Sequence, residues 1–249
     1  VLKIMTLMLV FVTASAIAAE LTARQILERA QQAQGGKDWA EVKTLYLKGH
    51  GIFYSNGTQE NPVIAESYTM WREMDPNRSA AHGPDGKVKI IATAKGKRFI
   101  AVSYDGVDSY TAEGKMPADK AAAFWASNFG FGIIRQALKP EFSLVRLPDD
   151  MIDGHKSYMV KIIDPQKQET LFGLDAKTFA IRKAGFNTPR GWHERIYDRF
   201  FVNRKPRWLQ AGRIRLYYNG VKANELFWQE VKVNPVFPDG TFRLEQQLK

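Results

Sequence analysis

Residues 207–231 read RWLQAGRIRLYYNGVKANELFWQEV. Two β-rich runs flank Asn219-Gly220, a dipeptide that tolerates φ > 0 at both central positions of a type I′ turn, so the stretch predicts an antiparallel hairpin of 207–218 with 221–231. The same punctuation recurs at Asn56-Gly57, Asp85-Gly86, Asp105-Gly106, Asp153-Gly154 and Asp239-Gly240. Between these pairs the sequence predicts strands near 43–54, 63–74, 87–93, 97–105, 107–112, 142–147, 156–164, 169–174, 178–187 and 193–202. The chain is therefore read as mainly β with added helices (α+β). An antiparallel sheet of so many strands accumulates twist and must curl or split.

Two segments depart from this pattern. Near the N-terminus, Thr22 and Gln25 form a capping box, Leu21 and Ile26 stand at the staple positions, and Gly35-Gly36 follows, which predicts a helix over 23–34. In mid-chain, Pro117 to Leu138 begins with a proline suited to a first helical turn and carries Phe124, Trp125, Phe129, Phe131, Ile133 and Ile134. That apolar load exceeds one surface stripe, so the segment is expected to be two helices, broken at Gly130 and Gly132, lying inside the curve of the sheet.

Residues 1–18 combine Lys3, an apolar run from Ile4 to Val12 and Ala16-Ile17-Ala18, the small-residue pattern of a signal peptidase site. The apolar run is about half the roughly 20 residues needed to span a bilayer. A signal peptide over 1–18, cleaved after Ala18, and one domain over 19–249 are the expectation, with a periplasmic location and a monomeric state. The chain has no cysteine, which excludes disulfides, thiolate nucleophiles and Cys-ligated metals, and leaves no acylation site after Ala18.

The whole chain carries +10. Ten basic residues between Arg182 and Arg215 face two acids, Glu194 and Asp198, so nearly all of the excess lies in one stretch. In an exported protein such charge suits phospholipid head groups or envelope polymers, and nucleic acid is not an expected partner. Arg195 and Arg199 share one strand parity, and Arg207, Arg213 and Arg215 share one parity on the next strand. With Trp192 they are the candidates for docking to an anionic surface.

No metal site, cofactor motif or catalytic set is marked. HExxH, GxSxG, P-loop and GxGxxG patterns are absent, and the four histidines, 50, 82, 155 and 193, show no ligand spacing. His193 and Glu194 adjoin, but successive strand residues point to opposite faces. Asp149-Asp150, after Pro148, is expected in a loop.

The order of elements resembles the LolA-like superfamily of periplasmic lipoprotein carriers and lipid-binding proteins. The elements are the signal segment, helix 22–34 with Gly-Gly and Trp39, the aromatic segment 117–138, Asp153-Gly154-His155-Lys156-Ser157-Tyr158 running into strand, Leu171-Phe172-Gly173-Leu174-Asp175, and Tyr217-Tyr218-Asn219-Gly220 through Asn234-Pro235 to Phe242. The resemblance implies a strongly curved antiparallel half-barrel, helices packed on its concave face, and an apolar cavity for a lipid or a lipoprotein acyl chain. Phe124, Trp125, Phe129, Phe131 and Ile134 are the candidates to line that cavity. The expected function is non-catalytic transfer or sorting at the envelope. The alternative is an interaction or sensor module that binds a protein or an anionic polymer through the basic 182–215 surface.

Overall fold

The structure is a computed structural model and describes residues 20–54, 60–128 and 131–244. The predicted signal peptide, the Asn56-Gly57 turn and Phe129 lie outside the described residues. Helix α1 spans Ala23–Gln34 and its capping box is formed, with the Gln25 backbone N–H donating to Thr22 Oγ1 at 3.3 Å. A short helix, α2 (Lys37–Ala40), follows and buries Trp39.

The strands are β1 (Thr44–Phe53), β2 (Val63–Glu73), β3 (Lys87–Ala94), β4 (Lys97–Tyr104), β5 (Ser109–Thr111), β6 (Gly114–Lys115), β7 (Ser143–Ile152), β8 (His155–Ile163), β9 (Glu169–Asp175), β10 (Ile181–Thr188), β11 (Gly191–Arg204), β12 (Arg207–Tyr218) and β13 (Val221–Val233). They form one antiparallel sheet of 13 strands in the order β6-β5-β4-β3-β2-β1-β13-β12-β11-β10-β9-β8-β7. Each strand pairs with its neighbour in sequence except at two places. β1 pairs with β13, joining the two halves of the chain, and β6 and β7 form the two open edges.

That topology dictates where the aromatic segment goes. Residues 116–142 must connect one edge of the sheet to the other, and across a curled sheet the short route is over the concave face. The segment carries helix α3 (Ala118–Asn128) and a 3₁₀ turn at Phe131–Arg135. It is fastened along its length: Trp125 Nε1 donates to Ser109 Oγ (2.7 Å), Tyr218 Oη to the Ser127 carbonyl (2.7 Å), Gln31 Nε2 to the Arg135 carbonyl (3.2 Å) and Arg24 Nη1 to the Leu138 carbonyl (3.2 Å). Among the described residues no helix is long and apolar enough to cross a membrane.

Three expectations are corrected. The second part of the aromatic segment is a single 3₁₀ turn rather than a helix. Asp149 and Asp150 lie within β7, where a register shift between Leu147 and Asp150 accommodates Pro148; Asp149 is held by Arg146 and by Lys156 at 3.1 Å. β10 begins at Ile181 because the Asp175 carboxylate accepts the backbone N–H groups of Lys177 (3.0 Å) and Thr178 (2.9 Å), forming a turn that Phe179 completes with φ +58°.

The hairpin turns have the expected geometry, with Asn219 at φ 49° and Gly220 at φ 78°, and Asp153 at 48° and Gly154 at 76°. Gly49 has a different role, since β1 shifts register there against β13 and a Cβ at this position would lie 1.8 Å from the Phe227 carbonyl oxygen. Gly49→Ala should therefore destabilise the protein by at least about 3 kcal/mol in urea unfolding. Gly154→Ala, with open space around it, should cost only about 1 kcal/mol for the left-handed backbone. Equal effects would contradict this packing of β1 on β13.

Candidate functional site

A partly open cavity of about 340 Å³ lies on the concave face of the sheet. Strands from β4 on one side to β9 on the other contribute to its wall through Leu47, Met70, Ile90, Val102, Phe172, Leu226 and Trp228. Only a sheet curved around the space can bring such distant strands to one cavity. Gln34 and Trp39, at the end of α1 and in α2, and Phe124, Ile134 and Arg135 of the crossing segment cover it.

Of the cavity candidates, Phe124 and Ile134 line the space. Trp125 is buried but does not. Its indole N–H, removed from water, needs an acceptor, and bonding to Ser109 turns the ring toward β5 and Tyr104, 6.1 Å away between centroids. Phe131 opens the 3₁₀ turn.

The polar end of the cavity was not anticipated. Asp85, expected as a turn acid, is fully buried, and its Oδ2 meets Arg135 Nη2 (2.7 Å), Arg72 Nη2 (2.8 Å) and Arg78 Nη1 (3.2 Å), while Oδ1 accepts the Asp75 backbone N–H (3.1 Å). Arg72 and Arg135 also line the cavity, as does Arg195. Burial alone would raise the Asp85 carboxyl pKa, but the guanidiniums of Arg135, Arg72 and Arg78 reverse this and hold it well below the usual carboxylate range. Arg72 is pushed down to about 10, mainly by burial and further by Arg135, Arg78 and Arg195, with Asp85 opposing. One signal was present in the sequence. Tyr68, Met70 and Arg72 share one parity on β2, so an arginine occupies an inward, apolar position.

Arg195 requires a correction. Only 8% exposed, it faces the cavity and not an external surface. Its Nε donates to His193 Nε2 at 2.9 Å. His193 is fully buried, and burial, with Arg195 and Arg190 nearby, pushes its pKa down to about 2, so the ring stays neutral and accepts. The shared parity of Arg195 and Arg199 does not survive because β11 kinks at Arg199, where φ is +52°, and Arg199 drops out of the ladder with β12 and is exposed.

On the opposite face, Arg213 pairs with Asp198 (2.8 Å), and Arg215 with Asp198 (2.9 Å) and Asp153. Trp192 lies against Gly185, and its Nε1 reaches Glu194 (3.4 Å), which also holds Lys183 (2.7 Å). Much of the basic stretch is thus neutralised in place. Exposed cations remain at Arg199 and at the tip of the β11–β12 hairpin, where Arg204, Lys205 and Arg207 adjoin exposed Val202. Glu194 lies on the other side of the strand from His193, so the two do not converge on one atom. Among the described residues no group of three or more metal-ligating side chains occurs.

The buried groups set the response to acid. A His193 pKa lowered from 6.5 to about 2 contributes stability that is present above pH 6.5 and lost as pH falls below it, by at most about 1.4 kcal/mol per pH unit. His82, lowered mainly by burial, acts in the same direction. Asp85, and Asp175 at about 2, contribute stability that is full above pH 4 and lost as pH drops toward their folded values. The urea midpoint should fall from pH 7 to pH 5 in the native chain and fall less in His193→Gln, whose amide can still accept from Arg195. An identical pH 7–5 profile for the two would contradict a buried neutral His193.

No family model matches the chain, and no curated protein matches it in sequence. Solved structures do match it. A LolA superfamily protein from Nitrosomonas europaea aligns with a TM-score of 0.57 at 13% identity, over 91% of this chain and all of the other. A DUF1329 family protein from Desulfovibrio piger aligns at 0.53 and 9% identity, over 91% and 99% of the two chains. A domain from Vibrio parahaemolyticus, assigned to outer membrane lipoprotein sorting, aligns at 0.51 and 12% identity, over 89% and 96%. With the open 13-stranded sheet and its covered concave face, these likenesses show that the chain has a LolA-like fold.

Proposed function

We propose that this protein is an exported, monomeric carrier that holds a hydrocarbon chain of a lipid or lipoprotein in its concave cavity and transfers it at the cell envelope without covalent chemistry. The observation that carries this reading is the cavity itself: about 340 Å³ of space walled by Leu, Ile, Met, Phe and Trp side chains. A largely apolar space of that size forgoes dispersion contacts unless something fills it. A bound acyl chain restores them and gains about 0.8 kcal/mol per buried methylene. The sequence-level signal segment and the envelope role named for the Vibrio relative support an envelope location.

Loading requires contact with a membrane. The hairpin tip suits an anionic bilayer, since Arg204, Lys205 and Arg207 surround exposed Val202, and the neighbouring Trp208 lines the cavity. The alternative of a protein- or polymer-binding module draws less support, because the arginines it would use at 213 and 215 are engaged by Asp198 and Asp153.

Purified without detergent and extracted with organic solvent, the full chain should yield lipid at a constant molar ratio by mass spectrometry. Ile214→Trp, placed at a half-buried lining position, should remain folded and lose most of that lipid. Arg204→Glu with Arg207→Glu should slow uptake from phosphatidylglycerol vesicles several-fold and leave uptake from neutral vesicles unchanged. A lipid-free native protein that takes up nothing from either vesicle would overturn the carrier reading.

A further inference from the structure

A polar side chain taken out of water needs a partner, and several in the cavity wall have one. Arg72 and Arg135 bond to Asp85, Arg195 bonds to His193, and Trp208 Nε1 donates to Gln210 Oε1 at 2.9 Å. Beside the cavity, the indole N–H of Trp125 likewise finds Ser109. Trp228 breaks this pattern. It lines the cavity and is only 5% exposed, yet its Nε1 has no hydrogen-bond partner among the described residues. Tyr68 packs against the indole at 67°, with 5.5 Å between centroids, which holds the ring in place but offers at best a weak acceptor.

A second unmet atom stands on the same strand. Asn224 Oδ1 is buried without a hydrogen-bond partner among the described residues, and its side chain also lines the cavity. β13 keeps a regular register with β1 from Asn224 to Trp228, so residues 224, 226 and 228 share the concave face, with Leu226 in the wall between the two. At the rise of a strand, about 13 Å separates the Cα atoms of Asn224 and Trp228. One strand thus offers the cavity an unmet donor and an unmet acceptor at two points along its length. Each is costly to leave bare, and each marks a place for a complementary ligand atom.

Building on the carrier reading, we propose that the ligand is an uncharged, single-chain ester of a polyol, of the monoacylglycerol kind, whose ester carbonyl accepts from Trp228 Nε1, whose hydroxyls donate to Asn224 Oδ1 and whose hydrocarbon chain lies along the apolar wall. A plain hydrocarbon would leave both atoms unmet. An ionised carboxylate or phosphate only accepts, so it serves Trp228 and not Asn224. A simple alcohol brings one oxygen, whereas two side chains set this far apart call for polar atoms spread over several bonds. The cavity is at the small end for ligand sites, which suits one chain rather than several.

The test varies one ligand group at a time. The delipidated full chain is titrated with monododecanoylglycerol, 1-O-dodecylglycerol, methyl dodecanoate and dodecanoate below their aggregation concentrations. Tryptophan fluorescence is the readout, since Trp39 and Trp208 line the cavity and remain when Trp228 is replaced. The glyceryl ester should bind at least about fivefold tighter than each of the other three. Trp228→Phe should abolish the preference for ester over ether, and Asn224→Leu the preference for glyceryl over methyl ester, each leaving the other preference in place. Methyl dodecanoate or dodecanoate binding as tightly as the glyceryl ester overturns the polyol head and leaves the carrier reading standing. The ether binding as tightly overturns the carbonyl site at Trp228. Failure of all four to bind overturns the carrier reading as well. The comparison of ligands on the native chain decides the matter even if a variant does not fold.

Discussion

The buried carboxylate of Asp85 is the constraint on which the concave side depends. Three guanidiniums reach its Oδ2 from three parts of the chain: Arg72 from β2, Arg78 from the β2–β3 loop and Arg135 from the 3₁₀ turn of the crossing segment. Buried together without an acid, these cations would repel one another and lose their hydration. With the carboxylate they form a tie, although removing one partner of such a group typically costs 3–5 kcal/mol. The tie fastens the crossing segment at the place where it covers the cavity. Gln31 holds the backbone of the same turn at Ile134 and Arg135, and Arg24 and Tyr218 hold the segment elsewhere with single hydrogen bonds.

The same tie gives the cavity its polarity. Arg72 and Arg135, two of the three arginines on Asp85, also line the cavity, as does Arg195 from β11. A structural device thus places polar side chains in the wall of a largely apolar space. The charge of the 182–215 stretch has a different fate: Arg182, Lys183, Arg213 and Arg215 are matched by Asp175, Glu194, Asp198 and Asp153, and Arg199, Arg204, Lys205 and Arg207 stay exposed.

Local signals made the strands and turns readable in advance. Asn219-Gly220 and Asp153-Gly154 set their own backbone angles, and the capping box of Thr22 and Gln25 needs only four consecutive residues. The LolA-like fold followed from the order of such elements. The site was less readable because its contacts join residues far apart. Arg72 and Arg135 lie 13 and 50 positions from Asp85, and nothing local distinguishes that aspartate from an ordinary turn acid. The Arg195–Arg199 parity failed for a related reason, since alternation assumes a regular strand and the left-handed backbone at Arg199 interrupts it. Trp125, expected to line the cavity, is buried beside it instead, because the direction of its ring depends on Ser109, a partner that periodicity does not reveal.

The central claim is that the concave cavity is a ligand site. A crystal structure of the full chain, purified without detergent and with no ligand added, tests this most directly. The account predicts elongated density in the cavity, with a chain beside Phe172 and Leu226. Side chains collapsed into the space, or ordered water alone filling it, would contradict the account.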